Sequence, residues 1–351
     1  MQDNQFDYIV VGAGSSGCVL ANRLSKEAAN SVCLIEAGPK DSSPWIHLPI
    51  GYGKTMWDPK VNWKFETEPD PGMNQRKIYW PRGKCLGGSS SINGLIFIRG
   101  QKEDYDGWKN LGNTGWGWDD VLPYFKKAEG NDRLGEPLHS KTGPLKASSI
   151  PKKHPLVESF IKSAVRLGVP ETDDFNNLTQ EGVGYYQLTT HKGLRCSTAV
   201  AYLNPIKKRS NLTILTDSQV MRIVIEGRRA VAVELIRHGK KQIIRANKEI
   251  ILSAGALQSP QLLQLSGIGP AALLRELNIP IIQDLPGVGE NLQDHLQYRL
   301  IYELNQPIST NVQLSSLFGK LKIGLDWLLF RGGPLSIGIN QGGLFTKVMK
   351  S

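Results

Sequence analysis

Cysteine is scarce. Cys18, Cys33, Cys85 and Cys196 are the four present in 351 residues, and no two stand in C-x-x-C spacing. That pattern indicates neither a disulfide framework nor a zinc site, and it predicts buried thiols. No window reaches the roughly 18 to 20 uncharged apolar residues that a membrane-spanning helix needs. The opening residues Met1-Gln2-Asp3-Asn4-Gln5 are polar and acidic where a secretory signal would be basic and then apolar, so a cytoplasmic location is expected. A basic stripe interleaved with aromatics is also missing, which argues against a nucleic-acid partner. The net charge is nevertheless +10, but the lysines and arginines fall in short clusters at Lys152-Lys153, Lys207-Lys208-Arg209 and Arg237 to Lys241, which read as solvated loops. With 40% hydrophobic content, the chain can bury a substantial core and is too long for one domain of ordinary size. Two domains are expected.

What the sequence does contain is glycine, in three segments of fixed order. The first is Gly12-Ala13-Gly14-Ser15-Ser16-Gly17; the second runs from Gly83 to Gly94 and includes Gly87-Gly88-Ser89; the third is Gly255-Ala256-Leu257-Gln258-Ser259-Pro260, continuing to Gly269. The first follows Tyr8-Ile9-Val10-Val11, which reads as a buried parallel strand, and precedes Cys18 to Leu24, which reads as an amphipathic helix. In such a strand–turn–helix unit Gly12 permits the turn, Gly14 admits a pyrophosphate close to the backbone, and Gly17 lets helix pack on strand. The helix N-terminus offers its unpaired N–H groups to the phosphate charge. A second strand, Ser31 to Ile35, ends at Glu36. An acidic residue there accepts hydrogen bonds from ribose hydroxyls and repels a 2′-phosphate, which disfavours NADP. This motif alone leaves NAD and FAD open.

Further along, Pro44 to Pro81 reads as extended loop, and helical patterning returns at Trp118 to Ala128 and Pro155 to Leu167. Leu212–Leu215, Val220–Ile225, Ala230–Arg237 and Gln242–Arg245 read as successive strands of a meander, with Gly227 and Gly239 in turns. Glu249 to Gly255 reads as another buried strand ending in small residues, followed by a helix over Pro260 to Leu265.

The run Trp80 to Gly100 and the run Gly255 to Gly269 resemble the two signatures of the glucose-methanol-choline (GMC) oxidoreductases. The resemblance also covers Glu36-Ala37-Gly38, Asn62-Trp63, Glu68-Pro69, Gly115-Trp116, Leu122 to Phe125, Arg195 to Ala199 and Gly287 to His295. It extends over nearly the whole chain and, within the family, is greatest to choline dehydrogenases and related bacterial alcohol dehydrogenases. It implies FAD as cofactor and an α/β architecture: a Rossmann-like FAD-binding domain with a parallel sheet and β-meander at 1–155 and 193–300, and an incomplete α+β substrate domain at 156–192 and 301–351. Family correspondence places Gly12, Gly14, Gly17, Glu36 and Ala37 at the nucleotide, and Cys85, Gly87, Gly88 and Ser89 near pyrophosphate and flavin. It places Asn93, Gly94, Leu95 and Ile96 along the isoalloxazine, Val220 at the adenine, and Ala254 and Gly255 behind the phosphates. Some members attach flavin through a histidine where this chain has Ile92, so the FAD is expected to be non-covalent.

The family oxidises alcohols by hydride transfer to flavin N5, with an active-site histidine as base. Substrates implied are choline-like, aliphatic or aromatic alcohols, and electrons pass to a quinone or other acceptor, which allows a peripheral contact at the inner face of the membrane. The catalytic histidine lies near the C-terminus of family members. The chain stops at Ser351, and Gly342 to Lys347 reads as the start of the substrate-domain sheet, so a C-terminal truncation is expected. The alternative function is a non-catalytic FAD-binding fragment. Of the six histidines, His139, His154, His191 and His238 read as solvated surface residues; His47 and His295 read as structural or close to cofactor. No catalytic residue and no metal ligand is assigned.

Overall fold

The computed structural model describes residues 4–338 and 340–347. By packing, the chain forms two units. The first comprises the chain up to Ser42, Thr55–Ile92 and Thr198–Glu303; the second comprises Ser43–Lys54, Asn93–Ser197 and the chain from Leu304 on.

The first unit is built on strand β1 (Gln5–Val11), helix α1 (Ser15–Leu24) and strand β2 (Val32–Ile35), followed by β3 (Leu212–Leu215), β4 (Ser218–Glu226), β5 (Arg229–Arg237), β6 (Lys240–Leu252) and helix α2 (Gly255–Leu265). Strand order across the sheet is β3-β2-β1-β6-β5-β4. Ile9, Val10, Val32, Cys33 and Leu34 are completely buried, as continuous apolar runs in a parallel sheet covered on both faces should be. Register pairs Val11 with both Ile35 and Leu252, so the ends of the three central strands are level. One core cluster joins Ile9, Val11, Cys33 and Ile35 to Val220, Val233, Leu235 and Ile244, and to Leu262 of α2.

Two strand expectations are corrected. Leu212–Leu215 does not lead the meander but lies parallel to β2 at the sheet edge, pairing Leu212 with Val32 and Leu215 with Ile35. Alternation and branching indicate a strand without naming its partner. The segments Gln242–Arg245 and Glu249–Leu252 are one strand of 13 residues, β6. Its first half is antiparallel to β5 and its second half parallel to β1, with Arg245 facing Ala232 on one side and Gln5 on the other. The polar Ala246-Asn247-Lys248 looks like a break in sequence, yet it continues the strand where the neighbours change. The Pro44 to Pro81 stretch is not wholly loop: it holds short helices at Pro44–His47 and Tyr52–Thr55 and a two-stranded pair, Phe65–Glu66 with Tyr79–Trp80. The helix expected over Pro260 to Leu265 begins five residues earlier, at Gly255.

In the second unit, the helices over Trp118–Ala128 and Pro155–Arg166 form as expected. The latter packs Ile161 and Ala164 on Val183, in a strand (Gly182–Tyr185) paired antiparallel with Gly342–Phe345. Ile96–Phe97 pairs with Gln187–Leu188 in the same sense. Among the described residues no helix is long and apolar enough to cross a membrane, and all four cysteines are buried.

Candidate functional site

The three glycine-rich segments, separated by about seventy and more than a hundred and fifty residues in sequence, meet at the C-terminal ends of β1, β2 and β6. At Gly12 the backbone is left-handed (φ +97°), and a Cβ there would stand 2.6 Å from the carbonyl oxygen of Ser253. Ser253 fastens the third segment to the first: its Oγ donates to the carbonyls of Val11 (2.9 Å) and Gly12 (2.8 Å). The amide of Gly87 donates to the carbonyl of Ala13 (2.8 Å), bringing in the second segment. Gly88 (φ +53°) comes so close that a Cβ on it would lie 2.7 Å from the Gly14 Cα.

Between them is a cavity of about 640 Å³, within the range of small-molecule and cofactor sites. Gly12 and Gly14 line it, as do Glu36 and Ala37 at the end of β2. Gly88 and Ser89, Val220, and Ala254 with Gly255 complete the expected residues found there. The first turns of α1 and α2 both open onto this cavity, through Ser15-Ser16 and Ala256 to Ser259. Two sets of unpaired backbone N–H groups thus face one space, an arrangement that favours an anion such as a pyrophosphate.

Glu36 is 6% exposed. Its carboxylate accepts from the amides of Ala13 (3.0 Å, Oε2) and Gly38 (2.9 Å, Oε1), so the loop after β1 and the loop after β2 are tied through one side chain. Burial pushes its pKa up to about 7, against the opposing pull of the Gly38 and Ala13 amides and the Lys84 ammonium. A carboxylate this desolvated gains when further donors arrive, which is what vicinal ribose hydroxyls supply. The donors, the acidic acceptor and the glycine cradle therefore fit a dinucleotide with an unphosphorylated ribose.

Not every expected residue lines the cavity. Gly17 faces the preceding turn, where a Cβ would lie 1.9 Å from the Gly12 carbonyl oxygen, so its place is helix-to-strand packing. Cys85 is completely buried, and Gly87 serves the loop junction described above. Asn93, Gly94, Leu95 and Ile96 belong to the second unit. There Asn93 is held by Arg195, whose Nη1 donates to Asn93 Oδ1 (2.7 Å) and Nη2 to the Asn93 carbonyl (2.9 Å), while Nε donates to the carbonyl of Ile46 (2.8 Å). Leu95 is completely buried with φ +71°, a costly conformation for a bulky residue, and its carbonyl accepts from the Thr189 amide at 2.7 Å. Sequence reasoning missed Trp63 and Arg82, which line the cavity. Both stand inside the motifs that carry the family resemblance, and that position was the available signal.

The histidines need correction. His139 is 3% exposed and lies between two carboxylates, Glu129 (Nδ1 to Oε1, 2.8 Å) and Asp174 (Nε2 to Oδ2, 3.0 Å). A polar context in sequence did not distinguish a solvated loop from a buried ion cluster. His154 caps the helix that follows it, its Nδ1 accepting from the Leu156 amide (3.2 Å). His191 and His238 are exposed as expected; His295 is exposed, and His47 ends a short helix. Burial alone would lower the His139 pKa, but the hydrogen bonds and charges of Asp174 and Glu129 outweigh it and hold the ring at about 9. Because the folded-state value lies above the ordinary one, this contribution is fully present below pH 6.5 and is lost as pH rises through 9. Chemical denaturation should show about 3 kcal/mol lost across that window, and His139→Gln should abolish the dependence.

Residues 6–297 match the family described as GMC oxidoreductase. The chain is 43% identical over 348 residues to the mitochondrial choline dehydrogenase of Mus musculus, covering 97% of this chain and 58% of that protein. It is 42% identical over 345 residues to the alcohol dehydrogenase [acceptor] of Pseudomonas putida, covering 97% and 62%. Among solved structures, an FAD-dependent oxidoreductase from Chaetomium thermophilum superposes with a TM-score of 0.86 at 30% identity, covering 96% of this chain and 61% of that one. The chain thus spans about three fifths of the length of these relatives. A matched segment of this extent, over a fold that gathers three glycine loops around one cleft, places the chain in the GMC oxidoreductase family.

Proposed function

We propose that this chain binds FAD non-covalently in the cleft of its first unit, as the cofactor-holding part of an alcohol-oxidising enzyme of the choline dehydrogenase type. The observation that carries the reading is the convergence of all three glycine segments and Glu36 on one cavity. Bound FAD supplies a two-electron acceptor for hydride from an alcohol carbon. The chain's own residues bind and orient it. Glu36 accepts from the ribose hydroxyls; the amides at the starts of α1 and α2 receive the pyrophosphate; Gly14 leaves room for it, with Gly88 packed against Gly14; Val220 offers an apolar contact to adenine. Asn93 to Ile96 meet the isoalloxazine, held in place by Arg195.

Ile92, buried in the second glycine segment, has no nucleophilic atom, which supports non-covalent attachment. The functional division proposed is 1–155 with 193–300 for the cofactor and 156–192 with 301–351 for the substrate. It differs from the division by packing, which groups 43–54, 93–155 and 193–197 with the second unit and 301–303 with the first. A choline-like, aliphatic or aromatic alcohol as substrate, and a quinone or other acceptor for the electrons, follow from the names of the relatives and the same site.

The test is the visible absorption spectrum of the purified chain reconstituted with FAD, before and after acid precipitation. The expected result is about one equivalent of flavin, released into the supernatant by acid. A protein that takes up no flavin overturns the cofactor assignment, and flavin retained in the precipitate overturns non-covalent attachment.

A further inference from the structure

The second unit buries four ionisable side chains in one continuous cluster: Arg99 (7% exposed), Glu129 (0%), His139 (3%) and Asp174 (9%). Arg99 Nη2 pairs with Glu129 Oε2, and Arg99 Nη1 donates to the Leu138 carbonyl (2.8 Å). His139 has a carboxylate oxygen at hydrogen-bond distance from each of its two ring nitrogens. A neutral imidazole can donate from one nitrogen alone and would turn a lone pair toward the other carboxylate; both contacts are satisfied together when the ring is an imidazolium. The order Asp174, His139, Glu129, Arg99 then alternates in charge and sums to zero, the condition under which buried ions are tolerated.

The cluster is joined to the strand pair that follows Asn93 to Ile96. Asn176 is fixed by Asp174, whose Oδ1 accepts from its amide (2.8 Å); its Oδ1 accepts from the Arg99 amide (2.6 Å), and its Nδ2 donates to the Phe97 carbonyl (3.2 Å). On the partner strand, Gln187 exchanges hydrogen bonds with Asn131 (2.9 Å each way), and Asn131 Nδ2 donates to Glu129 Oε1 (2.6 Å). Ile96–Phe97 and Gln187–Leu188 are therefore gripped from one side by the two carboxylates that His139 bridges. The charged groups facing the ring are Glu129 from the strand Glu129–Asn131 and Asp174 from the loop after Glu171; Arg99 faces Glu129, and Asp132 approaches Gln187 at 3.5 Å.

We infer that His139, held as an imidazolium between Glu129 and Asp174, is a positioning residue for the flavin-facing segment Asn93 to Ile96, and that loss of its proton or of either carboxylate releases that segment. The inference rests on the FAD reading for what the segment faces, and on the cluster alone for how it is held. His139 touches no cofactor atom in this proposal; it acts through Asn176, Gln187 and the strand pair.

The experiment compares the wild-type chain with Asp174→Asn, which keeps an acceptor of the same shape, by nitrogen-15 NMR of the histidine rings, amide hydrogen exchange and the spectrum of bound FAD. The His139 ring of the wild type should carry protons on both nitrogens at pH 7 and titrate near pH 9; in Asp174→Asn it should titrate about one or more pH units lower. At pH 7 the amides of Arg99 and of Thr189, which donates to the Leu95 carbonyl, should exchange about tenfold faster in the variant. The pH at which the bound-flavin spectrum changes should move down with the ring, relative to free FAD. A neutral His139 ring at pH 7 in the wild type, or unchanged exchange at Arg99 and Thr189 in the variant, overturns the proposal. If the protein takes up no FAD, the cofactor reading fails by itself, and the ring titration and exchange still decide whether His139 holds the segment.

Discussion

Gly14→Val is expected to leave the fold intact and remove FAD binding, whereas Gly17→Ala, three residues away in the same motif, is expected to unfold the nucleotide unit. At Gly14 the backbone is ordinary extended conformation (φ −76°, ψ −162°), open to any residue, and the nearest protein atom to a Cβ is the Ser253 carbonyl oxygen at 3.9 Å. A side chain there has the cavity to enter and would occupy the path of the pyrophosphate to the start of α1. Losing two N–H bonds to a charged group, at about 1.5 kcal/mol or more each, corresponds to roughly a hundredfold or greater loss of affinity. At Gly17 the added Cβ meets the Gly12 carbonyl oxygen at 1.9 Å and Ser253 Oγ at 2.8 Å. Neither the β1 turn nor α1 can yield without losing the other, so the cost should exceed the usual overpacking range of about 1–3 kcal/mol. Denaturant midpoints and flavin-fluorescence titrations separate the two. A destabilised Gly14→Val, or a Gly17→Ala as stable as the parent, would contradict this assignment of the two glycines.

For Glu36, the expected result is FAD affinity that rises with pH between about 5 and 7 and levels off until the His139 window, with most of a proton released on binding near the middle of that rise, at about pH 6. The apoprotein carboxyl titrates at about 7, above its ordinary 4.5. Its contribution to stability is therefore full below pH 4.5 and is lost as pH rises through 7, by about 3 kcal/mol at 1.36 kcal/mol per pH unit. Hydroxyl donors from the ribose favour the ionised form, so FAD draws the pKa down and recovers part of that loss. Glu36→Gln should remove the pH dependence. It should also weaken binding at pH 8 by roughly 2–3 kcal/mol, because a charged acceptor is lost and one of the two loop amides is left facing an NH₂ group. Calorimetry in two buffers of different ionisation enthalpy measures the proton directly; no proton exchange at pH 6 would sink this account. The Glu36 window lies below that of His139, and FAD should suppress the lower one alone.

Much of this was legible in the sequence because it is local. A strand, a glycine turn and a helix follow one another within twenty residues, and the burial of β1 and β2 shows as unbroken apolar runs. Glu36 was legible for the same reason: it ends the second strand at the distance the nucleotide requires. Partner choice was not legible. Leu212–Leu215 has the composition of a meander strand yet lies beside β2, since side-chain pattern records a strand's faces and leaves its edges unspecified. The double use of β6 was hidden by the polar Ala246-Asn247-Lys248, which is tolerated there because Asn247 and Lys248 remain exposed.

The histidines mark the same boundary from the other side. In sequence His139 sits among Leu138, Ser140 and Lys141 and resembles His238, which does lie exposed in a turn. What separates them is Glu129 and Asp174, ten residues before and thirty-five after, brought to the two ring nitrogens by the fold. Sequence by itself determined the dinucleotide motif, the acidic acceptor and the family, because each depends on residues whose spacing along one strand or loop is set by covalent geometry. The tertiary structure alone decided that the three glycine segments enclose one cavity, that Gly17 is packed against the β1 turn while Gly14 opens onto that cavity, and that His139 is buried between two carboxylates. Those outcomes depend on distances between segments far apart in the chain, and such distances are properties of the packed core.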